Sequence, residues 1–120
     1  MISINYRDPS PIYEQIFESF KNLIISGVLP EGSAMPSVRQ LAVELSVNPN
    51  TVQQAYKKLT DAGLICSVGG RGSFVSAAEA KELHRLELIR EILSIKTKLY
   101  ALGMSDDEIM NILKEENAND

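Results

Sequence analysis

Asn48, Asn50, Thr51 and Gln53 crowd one short stretch, Val47-Asn48-Pro49-Asn50-Thr51-Val52-Gln53. Asn and Gln amides offer a donor and an acceptor side by side, which suits the edge of adenine. A Thr side chain can meet a phosphate or a thymine methyl. Asn48 and Asn50 also suit turn and capping chemistry, which needs no ligand. Upstream, Ser37 and Arg39 mark a helix start, where a hydroxyl caps backbone N–H groups and anions are attracted. Downstream, Lys57 and Lys58 can neutralise phosphates or simply confer solubility. Gly70-Arg71-Gly72 puts one cation between two residues that allow close backbone approach. That arrangement suits the edge of a minor groove, or a flexible hairpin tip.

Catalytic chemistry is missing from this inventory. His84 and Cys66 are each the single residue of their type, so no conventional His/Cys metal cage and no internal disulfide can form. No acid, base and nucleophile constellation appears, so the chain reads as a non-enzyme without cofactor or metal. Cys66, in the strand-like run Leu64–Val68, reads as a small buried filler.

The side chains above need a scaffold, and the apolar spacing supplies one. Residues 1–9 read as extended. Ser10 followed by Pro11 suits an N-cap and first helical residue. Ile12, Ile16, Phe20, Leu23 and Ile24 then recur with helical period, widened by Tyr13 and Phe17, until Gly27. Ser37 caps a second helix with Val38, Leu41, Ala42 and Leu45 inward. Asn48-Pro49 breaks the chain. Asn50 is expected to cap a third helix with Val52, Ala55, Tyr56 and Leu59 inward, ended by Gly63. Short strands, Leu64–Val68 and Ser73–Ser76, flank the glycine loop. This is a helix-turn-helix followed by a wing, a unit that can set a helix N-terminus in a DNA major groove.

Beyond Ser76 the pattern changes to one long helix, from about Ala78 to Leu102. Leu88, Ile92, Ile95, Leu99 and Leu102 form its main stripe, with Leu86, Ile89, Leu93 and Tyr100 beside it. Gly103 ends it, and Ser105-Asp106-Asp107-Glu108 reads as a capping box that starts another helix. Ile109, Met110, Ile112 and Leu113 give that helix an apolar face, and the tail from Glu116 is expected to fray. Two helices cannot bury so many apolar faces against each other, so a second copy is expected to cover part of them.

The net charge is −4 over 120 residues. Residues 1–76 hold six basic and six acidic side chains, whereas residues 77–120 hold six and ten. The segment 35–76 is mildly basic, with Arg39, Lys57, Lys58 and Arg71 against Glu44 and Asp61. This weak electrostatic footprint predicts modest affinity for DNA per protomer. No apolar run approaches the ~20 residues of a membrane span, and the N-terminus has no signal-peptide pattern. A cytoplasmic location is expected.

The stretch Pro11–Val75 resembles the winged-helix DNA-binding domain of GntR-type bacterial transcription regulators. The resemblance is carried by Pro11-Ile12-Tyr13-Glu14-Gln15-Ile16, Gly27, Leu29-Pro30-Glu31-Gly32 and Met35-Pro36-Ser37. It continues through Arg39, Leu41-Ala42, Leu45, Val47, Asn50-Thr51-Val52, Ala55, Leu59, Gly63-Leu64-Ile65 and Gly70-Arg71-Gly72-Ser73-Phe74-Val75. The turn and the short helical tail are similar to the YtrA branch of that family. The resemblance implies that Arg39 touches phosphate or a base edge. Many members carry Arg where this chain has Pro49 and Gln53, so their arginine-mediated base contacts do not carry over.

The expected architecture is mainly α with a small β-hairpin, a winged helix-turn-helix followed by a C-terminal two-helix hairpin. Residues 1–76 form the DNA-binding domain and 77–120 the dimerisation hairpin, through Leu88, Ile92, Ile95, Leu99, Leu102, Ile109 and Leu113. The expected DNA contacts are Ser37, Arg39, Asn48, Asn50, Thr51, Gln53, Lys57, Lys58, Gly70, Arg71 and Gly72. The expected function is sequence-specific transcriptional regulation, as a repressor on an inverted-repeat operator bound by a homodimer. The alternative is a winged-helix module for protein contacts or nonspecific nucleic-acid binding. No small-molecule effector site is evident, and one would have to lie at a dimer interface or between lobes.

Overall fold

Helix α1 forms at the first apolar period, Ile12–Ile25. A computed structural model describes residues 2–118, and side chains as far as residue 115. The side chains of the tail expected to fray, from Glu116 on, lie outside the described residues, while the last helix runs to Ala118. The segment before α1 is not uniformly extended, because a turn at residues 6–8 closes with Asp8 N donating to the Asn5 carbonyl. Ser10 is not the cap of α1. Pro11 holds that position, its carbonyl accepting from Glu14 and Gln15 N–H, while the Ser10 hydroxyl donates to Asp8. Asp8 competes successfully because its carboxylate also takes the Ser10 N–H, and that bond holds its pKa below the ordinary value.

Helices α2 (Val38–Leu45) and α3 (Pro49–Asp61) follow. The Ser37 hydroxyl accepts from Gln40 N–H, capping α2 as expected. Ser46 ends α2 in the left-handed region at φ 55°, and the chain turns directly into Asn48. The cap of α3 is Asn48, not Asn50: its side-chain oxygen accepts from Asn50 N–H at 2.8 Å. Pro49 thus serves as the first residue of α3, where a missing N–H costs nothing. Asn50 is thereby released into the first turn of the helix with its side chain exposed. At the other end, Gly63 takes the left-handed conformation at φ +73°.

Strands β1 (Ile65–Val68) and β2 (Gly72–Val75) pair antiparallel, Ile65 opposite Val75. A third segment joins them from far upstream. Met35 N–H donates to the Ser73 carbonyl and Val75 N–H to the Ser33 carbonyl, both at 2.8 Å. Cys66, expected to be buried, is only half-buried in β1, because alternate residues of this short hairpin face away from the core.

The core of the first compact unit, residues 1–82, gathers Ile16, Phe20 and Ile24 of α1 with Leu41, Val52, Leu59 and Val75. The unit extends past Ser76 because Ala77 is fully buried and its N–H donates to the Glu31 carboxylate. Ala80 also packs against this core.

One ion pair ties α3 to α1. Lys58 Nζ lies 2.7 Å from Glu14 Oε1 and 2.8 Å from Oε2, and over the Phe17 ring at 4.5 Å from its centroid. The Lys58 hydrogen bond holds the Glu14 carboxyl below its ordinary pKa. The same bond raises the Lys58 ammonium above its own. The stability due to Glu14 is therefore present above the carboxyl's unfolded pKa and is lost as pH falls through the depressed folded value. Denaturation curves of Glu14→Gln taken at decreasing pH should show a shallower acid-side loss than the wild type. Superimposable acid limbs would mean that the pair contributes nothing.

The second unit, residues 83–120, holds most of α4 (Ala78–Ala101) and α5 (Asp106–Ala118). Gly103 makes the turn at φ +89°. The capping box forms as its spacing predicts: Glu108 N–H donates to the Ser105 hydroxyl, and Ser105 N–H to the Glu108 carboxylate. Tyr100 donates to Asp106, and Lys96 reaches the same carboxylate at 3.6 Å. An apolar groove between the helices is lined by Ile92, Ile95, Leu99, Ile109, Ile112 and Leu113.

Candidate nucleic-acid interface

A cleft opens between α3 and the wing. From α3 it takes Asn50, Gln53, Gln54, Lys57, Thr60, Asp61 and the edge of the otherwise buried Tyr56, from α2 Val38, and from the hairpin Ser67–Gly70, Gly72 and Ser73. Two facts of local structure create it. The α3 side chains at 50, 53, 54, 57, 60 and 61 share one face at helical spacing. The hairpin turns at Gly70 and Gly72, both at positive φ, so its tip presents bare backbone on either side of the exposed Arg71.

The opposite face of α3 is anchored. Val52, Ala55, Tyr56 and Leu59 are buried. The Tyr56 hydroxyl donates to the Pro36 carbonyl at 2.6 Å, and its ring stands edge-on to Phe20 at 6.0 Å between centroids. Burial pushes the Tyr56 hydroxyl pKa well up, so it remains a donor. The exposed face is thereby fixed against both α1 and the segment preceding α2.

The expected contact residues divide by this geometry. Asn50, Gln53, Lys57, Gly70 and Gly72 meet at the cleft. Arg39 and Arg71 are exposed, and their side chains have no hydrogen-bond or ion-pair partner among the described residues, the Arg71 backbone N–H donating to the Val68 carbonyl. Thr51 is half-buried, at the first turn of α3. Ser37 and Asn48 use their side-chain oxygens as caps, and both are exposed at helix N-termini. Lys58 does not join the group. It sits one residue past Lys57, hence about 100° around the helix, and is bound to Glu14. A lysine already held by two carboxylate oxygens is a poor mobile neutraliser of phosphate.

Gln54, Thr60, Asp61 and the two wing serines, Ser67 and Ser73, were not among the expected contacts. Helical phase could have found the first three, since each lies three, four or seven residues from another residue of the cleft. The serines could not be found that way, because their place depends on the register of β1 against β2.

Residues 12–75 match the family described as bacterial regulatory proteins, gntR family. The chain is 46 % identical over 76 residues to the HTH-type transcriptional repressor YtrA of Bacillus subtilis (strain 168), covering 63 % of this chain and 58 % of that protein. It is 33 % identical over 112 residues to the uncharacterized HTH-type transcriptional regulator YhcF of the same organism, covering 91 % and 92 %. Among solved structures it is similar to the DNA-binding domain of AraR in complex with operator ORE1, with a TM-score of 0.54 and 26 % identity. That match covers 63 % of this chain and 93 % of the other.

Proposed function

The chain belongs to the gntR family of bacterial regulatory proteins, and from that premise we propose that it regulates transcription by binding operator DNA at the cleft between α3 and the wing. The observation that carries this reading is the composition of the cleft. One anchored helix presents Asn50, Gln53 and Gln54, whose amides suit base edges, and the facing glycines carry no side chain that would hold a sugar-phosphate backbone away. The chain acts by binding, not by catalysis, and in the cytoplasm. The relative YtrA is named a repressor, and repression is the reading adopted for this chain.

Asn50 and Gln53 read bases. Arg39, Lys57 and Arg71 hold phosphates, with Ser37 and Thr51 in support, and Gly70 and Gly72 bring the wing close. Asn48 sets the first turn of α3. The protein binds as a homodimer through α4 and α5, and two-fold symmetry calls for two half-sites in an inverted repeat. Any effector would bind in the second unit or at the dimer seam.

Base reading is separable from phosphate holding. In selection of bound oligonucleotides, Gln53→Ala should change the preferred base at one position per half-site, by about 1–3 kcal/mol. Arg39→Ala should weaken all duplexes by a similar factor. If Gln53→Ala also lowers affinity uniformly, Gln53 is not a base reader.

A further inference from the structure

The cleft contains one cation and one carboxylate among its lining residues, Lys57 and Asp61, and they are bonded to each other. Lys57 Nζ lies 3.0 Å from Asp61 Oδ2, and both side chains are largely exposed, at 76 % and 65 %. Helix stability does not account for Asp61. It is the last residue of α3, where the negative end of the helix dipole disfavours a carboxylate. The order Lys before Asp is also the weaker orientation for a pair four residues apart. An acidic side chain therefore stands where folding gains little from it, inside a surface read above as a polyanion site.

We propose that Asp61 is an electrostatic attenuator of DNA binding that acts through Lys57. This rests on the reading of the cleft as the DNA surface. In the free protein the Asp61 carboxylate occupies Lys57. A phosphate arriving at the cleft must displace that carboxylate or share the ammonium with it. The sequence-independent part of the affinity is lowered accordingly. The mildly basic balance of residues 35–76 therefore resides outside the cleft lining, on Arg39, Lys58 and Arg71 against Glu44, while the two charges of the lining cancel. A regulator tuned in this way spends less time on random DNA, which favours release to its operator.

The test is a double-mutant cycle on the full chain with a random-sequence duplex, titrated at several salt concentrations. Asp61→Asn frees Lys57 without changing the size of the side chain. It should tighten binding by about twofold to fivefold per protomer, the range expected for releasing an exposed pair with a polyanion as competitor. The slope of log affinity against log salt should become steeper by about 0.9 per protomer, since Lys57 then releases a counterion of its own. In a Lys57→Gln background the same Asp61→Asn change should have little effect. Thermal unfolding of Asp61→Asn should match or exceed that of the wild type.

Unchanged affinity and slope in Asp61→Asn would overturn the attenuator while leaving the DNA surface intact. A full effect that persists without Lys57 would overturn it too, since Asp61 would then act by direct repulsion of phosphate. A wild type that binds no duplex even at low salt would overturn the reading of the cleft on which the proposal stands.

Discussion

Phe20→Ala should cost the first unit about 3–5 kcal/mol, the usual range for emptying an aromatic site in a core. Phe20 is fully buried in the middle of α1, and its ring supports the edge of Tyr56 on α3. Removing it leaves a cavity against the helix that carries the cleft. Tyr56 would then be held mainly by its bond to the Pro36 carbonyl. Domains of this size have only about 5–15 kcal/mol of total stability, so much of the population should unfold near physiological temperature. Urea denaturation followed by circular dichroism would measure the loss. A loss under about 1 kcal/mol would mean that α1 and α3 close over the gap, and that the anchoring of α3 described above is wrong.

A comparable effect is expected in the second unit, on assembly rather than folding. The stripe Leu88, Ile92, Ile95 and Leu102 is largely exposed in the single chain, Ile92 at 63 % and Leu102 at 80 %. On α5, Met110, Ile112 and Leu113 are exposed to about half their area. Apolar arrays of this kind mark an interface, and the proposal of a homodimer assigns them a second copy. Leu99 and Ile109 are half-buried, so Leu99→Asp would strain the hairpin as well as the seam. Ile92→Asp is the cleaner variant, because in the monomer its carboxylate stays in water. At a two-fold seam the charge enters twice, and each unpaired buried carboxylate costs several kcal/mol. Dissociation should strengthen by more than about a hundredfold. Sedimentation velocity should find monomers at micromolar concentration, with helix content preserved and operator binding weakened. A variant that remains dimeric would place the interface on another surface.

Much of this molecule is legible in its sequence because its elements are local. The period of Ile12 to Ile24 and the run from Ala78 produced α1 and α4 within one or two residues of expectation. The Ser37 cap, the Ser105–Glu108 box and the turns at Gly63 and Gly103 formed where spacing put them. Each depends on groups a few residues apart, which sequence order already brings together. The misplaced caps were also local but turned on competition. Asp8 took the Ser10 hydroxyl, and Asn48 reached the Asn50 N–H first, which made Pro49 the start of α3 rather than its barrier.

The site was decided at longer range. Lys57 and Lys58 are neighbours of the same type; helical phase places Lys57 with Asn50, Gln53 and Gln54, but nothing in the chain order tells what Lys58 will meet. Folding set α1 against one side of α3, so Glu14, 44 residues upstream, captured Lys58, while Lys57 was left in the cleft with Asp61. Tertiary pairing likewise brought Ser33–Met35 to β2. The same packing anchored Tyr56 to Pro36, 20 residues away. A helical pattern specifies which residues share a face, but only the elements packed around that face decide which of its charges remain free. Sequence therefore determined the family, the helices and the face that Asn50 and Gln53 share. The tertiary structure alone decided which of its cations can meet a phosphate, because ion pairing across the core is set by packing geometry and not by order along the chain.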